Sequence, residues 1–179
     1  PTSEPVPCNI NAVMLSSRDR IAPDRIRAFV AAHASLLKDY SPMTLLLVTG
    51  GARSGKSRYA EERCLALAGT PVYIATSQVF DDEMAERVAL HRNRRDDGGQ
   101  TMEEPLDLIS ALDRSNGIGP RLVDCLTLWT SNLLLADQPV DQHGEALVEA
   151  LSRQTSPVIL VTNEVGLGIV PDNALARRF

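Results

Sequence analysis

Two short stretches hold residues whose types and spacing suit chemistry. The first is GGARSGKS, residues 50–57, which fits G-x-x-x-x-G-K-S through Gly50, Gly55, Lys56 and Ser57. Glycines at these places let successive backbone N–H groups turn inward with no Cβ in the way, and a following helix adds the positive end of its dipole. Lys56 then suits the outer phosphates of a nucleotide, and the Ser57 hydroxyl suits its Mg²⁺. The competing reading is a plain glycine turn before a helix. The second stretch is RVALHRNRR, residues 87–95, with one of the chain's three histidines, His91, among four arginines. Cationic neighbours favour the neutral imidazole, the form a nucleophile needs, and they also attract phosphate. A solvated basic helix face containing a histidine by chance accounts for the same spacing, so both readings stay open on the residues alone.

These stretches need elements to hold them. TLLLVTG (44–50) is a continuous apolar run ending in glycine, as expected of a buried parallel strand. A helix is expected over about 56–68. TPVYIATS (70–77), RLVDCLTL (121–128) and SPVILVTNE (156–164) read as further strands. Asp81 and Asp82 can cap a helix over 82–95, on which Met84, Val88, His91 and Arg95 share one stripe. PLDLISALDR (105–114) reads as a helix with Pro105 in its first turn, and another helix is expected around 144–153. Strands alternating with helices predict an α/β fold, a mainly parallel sheet of the phosphate-loop NTPase kind flanked by helices in three layers.

Asp124 follows the apolar run of the third strand, where a Mg²⁺-linked carboxylate is expected in a nucleotide site; a helix cap after the strand is the alternative. Glu164 ends the fourth strand and is either a site residue or a solvated loop carboxylate. His33 shares the apolar face of Ile26, Phe29, Val30, Leu36 and Leu37 in 22–40, so it reads as a packing residue. His143 reads as a solvated residue in a polar loop.

Composition narrows the function. A net charge of −5 gives no general pull toward nucleic acid, and 4% aromatic residues argue against a base-stacking surface. Cys8, Cys64 and Cys125 are far apart, odd in number and without metal spacing, which reads as reduced thiols in a cytoplasmic protein. No apolar run approaches membrane-spanning length. Residues 1–42 read as an N-terminal appendage with one amphipathic helix, and 43–179 as the nucleotide-binding domain.

The stretches LLLVTGGARSGKSRYAE, VYIATSQVFDDEMAERVALHRNRR, DCLTLWTSNLL and VILVTNEVGLGIVPDNALARRF cover most of 43–179. Together they resemble the bifunctional adenosylcobinamide kinase / adenosylcobinamide-phosphate guanylyltransferase family of cobalamin biosynthesis. The resemblance implies two reactions. One phosphorylates the aminopropanol hydroxyl of adenosylcobinamide with ATP or GTP; the other moves GMP from GTP to that phosphate. It implies that His91 is transiently guanylylated. It assigns nucleotide contacts to the loop Gly50, Gly51, Ala52, Arg53, Ser54, Gly55, Lys56 and Ser57, and to Ala75, Thr76 and Ser77. Further contacts fall to Arg92, Asn93, Arg94 and Arg95, to Glu103 (with Glu104 adjacent), and to Asp124, which with Ser57 would serve Mg²⁺. It also implies a homotrimer. The family continues past NALARRF with the rest of a helix and a final strand, so a shortened C-terminus is expected. Two other readings accompany this one: a plain phosphate-loop kinase of a small metabolite, and a GTP-binding module without turnover.

Overall fold

A computed structural model describes residues 10–15, 45–78, 99–165 and 172–178. The expected helices over 22–40 and 82–95 lie outside these residues, and with them His33, His91, Arg92, Asn93, Arg94 and Arg95.

Among the described residues, six parallel strands form one sheet in the order β1-β2-β6-β5-β3-β4. They are β1 (Ile10–Leu15), β2 (Leu45–Gly50), β3 (Val72–Ala75), β4 (Gln100–Glu103), β5 (Arg121–Asp124) and β6 (Val158–Asn163). The helices are α1 (Lys56–Leu65), α2 (Leu108–Ser115), α3 (Leu126–Leu135), α4 (Val140–Ser152) and α5 (Ala174–Arg178). Alternate residues of the strands feed two separate cores. Leu46, Val48, Tyr73, Leu122, Ile159 and Val161 pack on Tyr59, Ala60 and Cys64 of α1. Val72, Ile74, Val123, Val158 and Leu160 face the other way, onto Leu108, Ala111 and Leu112 of α2, Trp129 and Leu133 of α3, and Leu147 of α4. The sheet is thus buried on both faces, which is why its central strands read as unbroken apolar runs. This is the three-layer α/β arrangement expected from the sequence.

Local chemistry sets the helix ends. The Asp107 carboxylate accepts the Ser110 amide at 3.2 Å and caps α2, whose buried residues Leu108, Ala111, Leu112 and Ser115 follow helical spacing. Pro105 therefore lies before the helix rather than in its first turn. At the edge where β5 begins, Arg121 is fully buried; it donates to Asn116 Oδ1 at 3.0 Å and to the Ser156 carbonyl at 2.6 Å. Burial pulls its guanidinium down to about 10, still cationic at neutral pH.

Four further features differ from the expectation. Residues 10–15, within the stretch read as an appendage, form a strand paired with β2 from Ile10↔Leu45 to Leu15↔Gly50. Residues 100–103 form a polar edge strand, β4, which the pattern did not suggest. The strand expected over 121–128 stops at Asp124, and Leu126 already belongs to α3. His143 lies within α4, half-buried and edge-on to Trp129 with ring centres 6.3 Å apart, so it is not a loop residue.

Candidate active site

The strand register places the chemistry-bearing residues along one sheet edge. Gly50 lies opposite Asn163, Val161 opposite Asp124, Asp124 opposite Ala75, and Ala75 opposite Glu103. Five adjacent strands therefore end almost in line. Ligands of open parallel sheets bind at this carboxyl edge.

The loop leaving β2 is shaped by two residues in the left-handed region, Arg53 at φ 58 and Gly55 at φ 90. Gly55 is the N-cap of α1 and supplies no side-chain cap. The amides at the start of the helix are thereby left to an outside acceptor, the ordinary setting for a phosphate. Ser54 N donates to Gly51 O at 3.3 Å and Lys56 Nζ to the same carbonyl at 3.2 Å, so the lysine folds back over the loop. Lys56 and Ser54 are largely buried, and the Ser54 hydroxyl is buried without a partner inside the loop. Ala52 and Arg53 are exposed, and Gly51 is half-buried.

Ser57 and Asp124 are 67 residues apart in the chain, and the fold joins them: Ser57 Oγ donates to Asp124 Oδ1 at 3.4 Å. A hydroxyl beside a carboxylate, next to a phosphate cradle, is a hard-oxygen donor pair that fits Mg²⁺ sharing its remaining ligands with phosphate oxygens. Among the described residues no group of three His, Cys, Asp or Glu side chains could hold a metal by itself.

Glu103 ends β4 in register with Ala75 and is exposed. Its neighbour Glu104 is spoken for, accepting the Asp107 amide at 3.0 Å and pairing with Arg114 at 3.3 Å. Of the two acids, Glu103 is the one aligned with the other strand ends. Ser77 is half-buried just beyond β3. Thr76, next to it, is wholly buried, and its hydroxyl donates to Cys125 O at 2.8 Å and accepts Cys125 N at 2.9 Å.

Thr127, Thr162 and Asn163 at this edge are not marked by any motif in the sequence. Thr127 Oγ1 accepts the Asn163 amide at 2.8 Å and lies 3.1 Å from Thr162 Oγ1, tying the end of β6 to the start of α3. The only signal was polarity, in the TN that closes an apolar strand. The Glu164 amide donates to Gly50 O at 3.1 Å, which brings that residue beside the phosphate loop. Cys125 follows Asp124 and is buried, and burial, ahead of its other surroundings, pushes its thiol upward, away from the thiolate.

The cobinamide kinase / cobinamide phosphate guanyltransferase family model matches residues 46–179. A bifunctional adenosylcobalamin biosynthesis protein, CobP, of Pseudomonas aeruginosa is 53% identical over 138 residues, covering 74% of this chain and 79% of the relative. The CobU proteins of Salmonella typhimurium and Escherichia coli, described in the same words, are 41% and 42% identical, each match covering 75% of this chain and 83% of the relative. With a phosphate loop, a facing Ser57–Asp124 pair and these relatives, the chain belongs to the cobinamide kinase / cobinamide phosphate guanyltransferase family.

Proposed function

We propose that residues 43–179 form an adenosylcobinamide kinase and adenosylcobinamide-phosphate guanylyltransferase that works through a guanylylated His91. The observation that carries this reading is the meeting of Ser57 and Asp124 across 3.4 Å, beside a loop whose helix-start amides lack a side-chain cap. In the kinase step the loop amides and Lys56 hold the outer phosphates of ATP or GTP while the substrate hydroxyl attacks the γ-phosphorus. In the guanylyl step the neutral imidazole of His91 attacks the α-phosphorus of GTP. An N–P bond forms, the bridging P–O bond breaks, and pyrophosphate leaves against Lys56 and the loop. A phosphate oxygen of adenosylcobinamide phosphate then attacks the same phosphorus and releases the imidazole. Mg²⁺ bound with the nucleotide neutralises phosphate charge in both steps. The arginines at 92, 94 and 95 keep His91 neutral and attract the triphosphate. Assembly as a homotrimer, in which a neighbour completes the site, belongs to the same reading.

The test uses GTP labelled at the α-phosphate. Label should remain on the protein in alkali and be lost in acid, as a phosphoramidate behaves, and His91→Asn should take up none. Equal labelling of His91→Asn and the parent would remove the covalent role. Absence of α-label with intact γ-transfer would point instead to a plain metabolite kinase.

A further inference from the structure

Three strand ends at the site meet a pair of buried polar side chains that the reaction scheme leaves unused. Thr76 follows β3 and faces the link between Asp124 and α3. Its amide donates to Asp124 O at 3.3 Å, and its hydroxyl both donates to and accepts from the Cys125 backbone at 2.8 and 2.9 Å. Three hydrogen bonds at one residue thus pin the backbone from the Asp124 carbonyl to the Cys125 carbonyl. The hydroxyl thus spends its one hydrogen in this clasp and accepts there as well.

Asn132 lies on α3 and is itself buried. Its amide nitrogen gives one hydrogen to Thr76 O at 2.7 Å and the other to Pro105 O at 2.9 Å. It therefore holds the chain just past β3 against the chain just past β4. Trp129, one turn earlier, adds a bond from Nε1 to Leu106 O at 2.8 Å. A leucine of similar size would fill the space of Asn132 but leave the buried Thr76 carbonyl and the part-buried Pro105 carbonyl without this donor, so packing alone does not account for an amide here.

We infer that Thr76, held by Asn132, is a positioning residue that sets the Asp124 carboxylate against Ser57 for the metal-bound nucleotide. The inference rests on the reading of Asp124 as a Mg²⁺-linked carboxylate. Loss of the Thr76 hydroxyl frees the Asp124–Cys125 backbone, and the carboxylate drifts from the Ser57 hydroxyl. Nucleotide bound without metal uses the loop amides and Lys56, which Thr76 does not touch among the contacts described.

The experiment measures the dissociation constant of GTP with Mg²⁺ and with EDTA, and takes the ratio as the metal enhancement. It compares the parent with Thr76→Val, Thr76→Ser, Asp124→Asn and the double variant Thr76→Val/Asp124→Asn. Thr76→Val should lower the enhancement about fivefold to tenfold, the size expected for removing a buried hydroxyl with two bonds, with metal-free affinity unchanged. Thr76→Ser should restore it, and Thr76→Val should have no further effect once Asp124 is Asn. If Thr76→Val keeps the parent's enhancement, or weakens metal-free binding equally, the positioning role is overturned. If Asp124→Asn itself keeps the enhancement, the metal reading of Asp124 fails and the inference falls with it. Should Thr76→Val not fold, as judged by circular dichroism, Thr76→Ala carries the same comparison, because it removes the same two bonds without setting a methyl group against the Cys125 amide and carbonyl.

Discussion

Gly55→Ala asks whether the phosphate loop is held in its shape or merely tolerates it. Gly55 lies at φ 90, and a Cβ built there meets nothing within 4 Å. The penalty is therefore conformational only, with no clash to relieve. A left-handed L-residue costs about 1–2 kcal/mol, and the loss of glycine's freedom in the unfolded chain returns about 0.4–1 kcal/mol of that. The expected net loss is about 1 kcal/mol, or roughly 2–4 °C in melting temperature for a domain of this size. The cost has to surface in one of two measurements. If the loop keeps its shape, urea unfolding without nucleotide shows the loss and the GTP-dependent rise in melting temperature is preserved. If the loop relaxes to negative φ, stability returns, but the amides at the start of α1 turn away and the GTP effect shrinks. Unchanged stability together with an unchanged GTP effect would mean that the loop places no conformational demand on residue 55. A loss above about 4 kcal/mol would be equally contrary to the prediction, since it needs a collision that the geometry lacks. Arg53→Gly is the counterpart: at φ 58 and exposed, it should be neutral to slightly stabilising.

Gly119→Ala should cost more than Gly55→Ala, about 2–3 kcal/mol by urea unfolding, because its Cβ would lie 2.2 Å from the backbone oxygen of Thr70; Gly144→Ala, with open space in α4, should stabilise by about 0.5–1 kcal/mol. In a Cys8→Ser background the native protein should not react with a thiol reagent at neutral pH, since Cys64 and Cys125 are buried and burial pushes the Cys64 thiol up to about 12. A raised thiol pKa leaves stability intact below the ordinary value near 9 and erodes it as pH climbs toward 12, so Cys64→Ala should flatten the alkaline fall in stability.

Much of the fold was legible because burial on both faces leaves a plain mark. Leu45–Gly50, Val72–Ala75 and Val158–Asn163 are apolar runs ended by glycine or polar residues, and each is a strand. The polar edge strand Gln100–Glu103 carries no such mark; it exists because β3 offers a row of ladder partners from Val72 to Ala75. Residues 10–15 owe their strand to β2 in the same way. The strand pattern from Arg121 runs four residues past the real end at Asp124, because CLTL is as apolar as the strand before it. What ends it is a contact from elsewhere: the Thr76 hydroxyl takes both the amide and the carbonyl of Cys125, and Trp129 N then closes the first turn of α3 on that same carbonyl at 3.1 Å.

The candidate site divides along the same line. The phosphate loop is local, since its glycines, Lys56 and Ser57 lie within eight consecutive positions and act through neighbouring backbone, so their spacing was enough to read it. The acidic character of Asp124 and Glu103 was also visible. Which carboxylate meets Ser57, why Glu103 rather than Glu104 lines up with the strand ends, and that the Thr76 hydroxyl grips the Cys125 backbone were decided only when parallel strands distant in sequence came into register. Local motifs are written in nearest neighbours. A hydrogen bond between residues 49 or 67 positions apart has no signature until the sheet brings its ends together.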